Sequence, residues 1–193
     1  MTPQQARATL SEPGTGVASL AGQVISGPLD LSGLDLGHID LSGARIEGRL
    51  SARGTVFRGL CWLKQTTLLA GLELDGALFH GDLRLDGATV EGDVVGQRAE
   101  FRGVADFDQS RLGGLDLTRA TAFGNLSLRG TRISGAARFR DAELYGGLWC
   151  EDVSFGGVTD FRGLEVHGRT LVRRTVFMRG AGAEVITSYG IRA

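Results

Sequence analysis

The sequence predicts an all-β solenoid, four short strands to a coil, and three observations carry that prediction. All nine phenylalanines fall on one ladder of apolar positions, and Phe57, Phe79, Phe101 and Phe123 recur every 22 residues. One residue type held to a long fixed spacing means that each coil stacks its side chain on the coil before it. The ladder also advances by alternating steps of five and six residues, an 11-residue half-unit. Finally, Gly follows two places after many ladder centres, as in Leu74-Asp75-Gly76, Leu85-Asp86-Gly87, Val90-Glu91-Gly92 and Phe101-Arg102-Gly103.

Other periodic folds fit less well. On a helix, steps of five would set successive centres about 140° apart, and each glycine would cost about 1 kcal/mol. A leucine-rich repeat has a similar unit length, and Leu29-Asp30-Leu31 with Leu34-Asp35-Leu36 resembles one. That repeat, however, has two unlike halves and an Asn ladder, whereas the halves here are alike.

The centres run from Leu31 through Leu36, Leu41 and Ile46 to Phe161, Val166, Val172 and Phe177, with the register weakest at Ala52, Gly96 and Val172. Side chains alternate along a strand, so centres and the residues two before them are expected inside, and the flanking residues outside. Stretches such as Ala99-Glu100-Phe101-Arg102-Gly103, Ala105-Asp106-Phe107-Asp108-Gln109, Leu115-Asp116-Leu117-Thr118-Arg119, Ala137-Arg138-Phe139-Arg140-Asp141 and Ala142-Glu143-Leu144-Tyr145-Gly146 place Ala, or in one case Leu, two before each apolar centre. In this the chain resembles the pentapeptide-repeat family over residues 25–177. The resemblance implies a right-handed quadrilateral β-helix; the 28 centres make about seven coils, a rod about 33 Å long. The frequent six-residue step resembles the looser, bulged variety of that family.

Residues 1–24 are expected to cap the first coil, with Thr2, Pro3 and Gln5 placed as N-cap, first helical residue and capping-box partner of a short helix, and Ser11-Glu12-Pro13-Gly14 as its stop. Residues 178–193, with Val185, Ile186, Tyr189 and Ile191, are read as a second cap or a homodimer contact through the coil end.

Composition narrows the function classes. The 193 residues carry 21 basic and 22 acidic side chains, a net charge of −1, so the global field favours neither nucleic acid nor an anionic membrane. Lys64 is the single lysine, a hint of a GC-rich bacterial genome. No apolar run reaches the ~18 residues of a membrane span and no basic-then-apolar leader opens the chain, so a cytoplasmic location is expected. Cys61 and Cys150 occupy inward positions several coils apart and read as buried packing groups.

No catalytic, cofactor or metal set is read from the sequence. GxSxG, GxGxxG and P-loop patterns are absent, and Asp75-Gly76 and Asp86-Gly87 read as turns. His80 and His167 lie on one face but about 19 Å apart, too far to share an ion. Candidate contact residues are outward ones: Trp62 and Trp149 on one face, and Arg58, His80, Arg102, Tyr145 and His167 along another, in a row whose fourth place is assigned to Gly124. Alternating Arg and Glu on neighbouring rows reads first as a solvated ion-pair ladder.

The expectation is a non-catalytic rod that binds a protein partner. The alternative, implied by the resemblance, is a regulator of DNA gyrase that imitates duplex DNA and protects the enzyme from its poisons, a route to antibiotic resistance. Such mimicry needs dense negative charge, and here acids and bases interleave: Asp75, Asp116 and Asp160 share a face with Arg53, Arg138 and Arg140. Direct nucleic-acid binding lacks a basic stripe. A third reading is an enzyme whose site forms only where the rod meets another chain.

Overall fold

A computed structural model of the chain describes residues 1–12, 16–182 and 185–187. Short parallel strands stack into four ladders, giving a β-solenoid of about seven turns. The first wall runs from Val17–Ser19 through His38–Asp40, Cys61–Trp62, Leu83–Arg84, Ala105–Asp106 and Leu126–Ser127 to Leu148–Glu151 and Thr170–Arg173. The second holds Thr67–Leu68 and its partners, the third Leu72–Glu73 and its partners. These two merge into one 12-stranded sheet because strands such as Thr89–Val95 and Ser154–Asp160 run through the corner between them. The fourth wall stacks Asp35–Leu36, Val56–Phe57, Leu78–Phe79, Glu100–Phe101, Thr121–Ala122, Glu143–Leu144, Leu164–Val166 and Val185–Thr187.

The five-residue step is a turn with one recurring geometry. The amide three residues after a first- or third-wall centre donates back to that centre's carbonyl, as Ala77 does to Leu74 (2.9 Å) and Ala88 to Leu85 (2.9 Å). The residue two after the centre is left-handed: Gly76 at φ +61° and Gly87 at φ +70°, where glycine carries no Cβ penalty. Gln65, Arg98, Gln109, Arg119 and Asp141 take the same conformation without being glycine. Aspartates one before the centre brace several of these turns, Asp106 accepting from the Asp108 amide and Asp116 from the Thr118 amide. The glycines after second- and fourth-wall centres serve a different need. A Cβ on Gly81 would meet the Gly59 carbonyl oxygen at 2.6 Å, so coils at that corner touch backbone to backbone.

Inside, centres and the small residues two before them fill the core, from Leu29 through Ala77, Phe79, Leu85 and Phe101 to Phe161. Phe57, Phe79 and Phe101 stack ring on ring at 4.6 and 5.2 Å. Ala52 and Gly96 hold their centre positions as buried residues, and Val172 is only half-buried. Both cysteines are buried and unpaired; burial pushes the Cys150 thiol up to about 12 and the Cys61 thiol further in the same direction.

Phe123 corrects the ladder. It is 50% exposed, and Ala122 takes the core position, paired with Phe101 below and Leu144 above. The cause is the turn: the Ala120 amide bonds the Leu117 carbonyl (3.0 Å), which fixes a five-residue step from Leu117 to Ala122. The coil lost one residue earlier, where Asp93 pairs with Gly114 across a register shift, so the repeat here is 21 residues long. Phe177 is also partly exposed, since among the described residues no further second-wall strand stacks on its own.

The helix Pro3–Ser11 is closed at its start by Thr2 and Gln5 in a reciprocal capping box. Ala6 and Leu10 are buried, and the Arg7 guanidinium donates to the Asp30 carbonyl. Of the stop sequence, Pro13 and Gly14 lie outside the described residues. Stacked strands already begin at Val17, within the stretch 1–24 assigned to the cap, because Val17–Ser19 pairs with His38–Asp40. At the other end, Val176–Gly182 and Val185–Thr187 continue the second-, third- and fourth-wall ladders. Tyr189 and Ile191 lie outside the described residues. No helix among the described residues is long and apolar enough to cross a membrane.

Candidate protein-contact wall

On each fourth-wall strand the residue after the centre points outward, and parallel stacking aligns these residues into one column: Arg58, His80, Arg102, Phe123, Tyr145 and His167. Sequence reading assigns five of these six, with Gly124 in the fourth place. The structure puts Phe123 there, for the turn-imposed shift described above. An aromatic side chain at that level changes the character of the wall. Phe123 and Tyr145 stack at 5.1 Å with rings 4° from parallel, and the Tyr145 and His167 rings follow at 5.0 Å and 16°. Phe123 and Tyr145 are 50% and 46% exposed, so two large flat side chains stand on an otherwise polar surface.

The lower half of the column is polar and fixed. Arg58 makes a bidentate contact to Asp35 (2.7 and 2.5 Å), which holds that carboxyl below its usual range. Arg102 donates to Glu100 (2.7 Å) and lies 3.3 Å from His80 Nδ1. Beside the column, one residue before each centre, run Glu100, Thr121, Glu143 and Glu165. Hydrogen bonding to the Glu143 carboxylate raises the Tyr145 hydroxyl above its ordinary pKa, with desolvation adding to the effect. His167 Nε2 lies 3.3 Å from Glu143 Oε1 and 3.8 Å from Glu165 Oε2.

Trp62 and Trp149 do share the first wall, four levels apart. They form no joint patch. Lys64 lies over the Trp62 ring at 5.4 Å and Arg129 over Trp149 at 5.1 Å. Between them Arg84 pairs with Asp86 (3.2 Å) and Asp106 (3.1 Å), while Asp108 holds Ser127 and Arg129. The third wall is paired in the same manner, Glu73 with Arg49 (2.6 Å) and Arg53 (2.9 Å), and Asp160 with Arg162 (2.6 Å). His38 lies on another strand altogether, its Nδ1 accepting from the Leu60 amide (3.1 Å).

A groove of about 450 Å³ on the second wall, where Arg111 and Arg132 are register partners beside Met178, went unread in the sequence. Its signal was the coil period, which sets two arginines one level apart.

A model of the family described as pentapeptide repeats (9 copies) matches residues 85–132, the middle of the solenoid. A search of curated proteins finds no match.

Proposed function

From a chain that carries pentapeptide repeats and stacks them into a solenoid, we infer a non-catalytic scaffold that binds a protein partner through the fourth wall. One observation carries this reading: the exposed Phe123–Tyr145 stack, extended by His167 and bordered by Arg102. Flat aromatic side chains with neighbouring arginine supply most of the energy of protein interfaces, because they bury much area while losing few rotamers. On this wall the backbone holds them in place before any partner arrives, which lowers the ordering cost of association.

A gyrase-directed role draws less support from the surface. The carboxylates Glu73, Asp106, Asp108 and Asp160 are each matched with arginine, so among the described residues the first and third walls do not carry the unbroken negative charge of a duplex.

The test is a photo-crosslinking amino acid placed at Phe123, with the same group at Arg132 on the second wall as control. The expected result is a discrete adduct from position 123 that disappears when Tyr145→Ala is added, and none from position 132. Equal labelling from both walls, or none from position 123, would sink the reading. Supercoiling assays with gyrase, with and without a cleavage poison, form the second arm. Inhibition or rescue at submicromolar protein would promote the topoisomerase role over a general scaffold.

A further inference from the structure

We propose that Glu143, Glu165 and His167 form a binding site for a divalent transition-metal ion of the zinc class, set in the fourth wall beside the aromatic stack. One ligating atom from each lies within 4.8 Å of the other two. The backbone dictates this convergence. Glu143 and Glu165 are direct partners in a parallel ladder, and His167 follows Glu165 by two residues, just past the end of its strand.

Two carboxylates placed opposite each other in a ladder repel, and such pairs destabilise a sheet unless a cation lies between them. Elsewhere on this solenoid arginine fills that role, as Arg84 does for Asp106 and Arg49 and Arg53 do for Glu73. Among the described residues neither Glu143 nor Glu165 has an Arg or Lys partner; His167 is the one basic side chain that approaches them. A second observation is the state of that imidazole. Its Nε2 is shielded from solvent and makes no hydrogen bond of proper geometry, although it lies 3.3 Å from Glu143 Oε1. The atom lies near both carboxylates without donating to either, on a side chain that is itself 37% exposed.

That separation is the one a metal would set. Ligands bound tetrahedrally at zinc's N and O distances stand about 3.3 Å from one another. The Glu165 oxygen stands 3.8 Å from Nε2 and within 4.8 Å of the Glu143 oxygen, so the two carboxylates must draw in to complete the site. A neutral imidazole with two carboxylates suits zinc, copper or nickel better than magnesium or calcium, which favour all-oxygen shells. Stacking on Tyr145 at 5.0 Å fixes the imidazole plane, the outer support that metal ligands commonly have. Three protein ligands leave a fourth position for water or for a donor from another molecule.

The experiment is calorimetric titration of the metal-free full chain with Zn²⁺, paralleled by Co²⁺ absorbance, which reports tetrahedral coordination. The expected result is one saturable equivalent and a raised melting temperature. Glu165→Gln and His167→Gln should each weaken binding at least about tenfold, the loss that even an outer partner of a ligand costs. Circular dichroism would verify that both variants remain folded, and His38→Gln, on the first wall, should bind like the parent. No saturable heat at millimolar metal, or unchanged binding in both variants, would overturn the site and leave the three groups as an ion-pair cluster. The readout needs no partner protein, so its failure is separate from failure of the crosslinking test.

Discussion

Thr66 and Ser110 stand in one inward column of the second wall, two coils apart, and both are fully buried. The Thr66 hydroxyl donates to the Leu41 carbonyl of the coil before it at 2.7 Å, as Thr55 does to Leu31 and Thr131 to Phe107. The Ser110 hydroxyl finds no partner among the described residues. A buried hydroxyl contributes only when its hydrogen bond is made and is costly when it is not. Thr66→Val is therefore expected to cost about 1 kcal/mol, whereas Ser110→Ala should be neutral or stabilise by about 1 kcal/mol. Denaturant midpoints of the two variants decide the matter; equal shifts in the same direction would refute the assignment. The sequence shows that both positions face inward. It does not show which hydroxyl reaches a carbonyl, because that depends on how neighbouring coils are offset.

The turn is the element that makes the walls. Its left-handed residue is glycine at Gly76 and Gly87 but an exposed arginine at Arg98, φ +56°. A side chain there costs about 1–2 kcal/mol, of which glycine's own chain entropy returns about half. Arg98→Gly should raise stability by about 1 kcal/mol, measured as a higher melting temperature; a lower one would mean that the arginine makes a contact worth more than the strain. The same turn explains where sequence reading succeeded and where it slipped. Leu, Phe and Ile centres at five- and six-residue steps identify the solenoid, and even Ala52 and Gly96 hold register. At Phe123 the largest apolar side chain was taken for the centre, although the turn after Leu117 puts Ala122 inside. Side-chain size points to Phe123 as the centre, but turn geometry decides, and it turns the Phe123–Tyr145 stack outward. The Glu143, Glu165 and His167 convergence was written in the chain as separations of 22 and 2, which look unrelated until the coil length is known.

For the molecule as a whole, stability is a sum over neighbouring coils, since each coil touches only the ones above and below. Phe101 lies mid-stack, ring to ring with Phe79 and 1% exposed. Phe101→Asp would put a charge there without a partner and should abolish the cooperative melt; a variant that melts like the parent would show the core register to be wrong. Truncation to Phe101→Ala, at a cost of about 3–5 kcal/mol, tests the same position without introducing charge.

The ladders pair residues 21 or 22 apart at every level, from Val17 with His38 to Leu164 with Val185. Each new level therefore closes a loop of the same length, however long the chain already is. Loop-closure entropy grows with loop length, so later levels are no harder to add than the first, and assembly can spread outward from any pair of neighbours. The mean sequence separation of contacts stays constant as such a chain lengthens, so the relative contact order, which sets folding speed in small domains, falls with every level gained. Duplicating one period would thus extend the rod while leaving its folding problem unchanged.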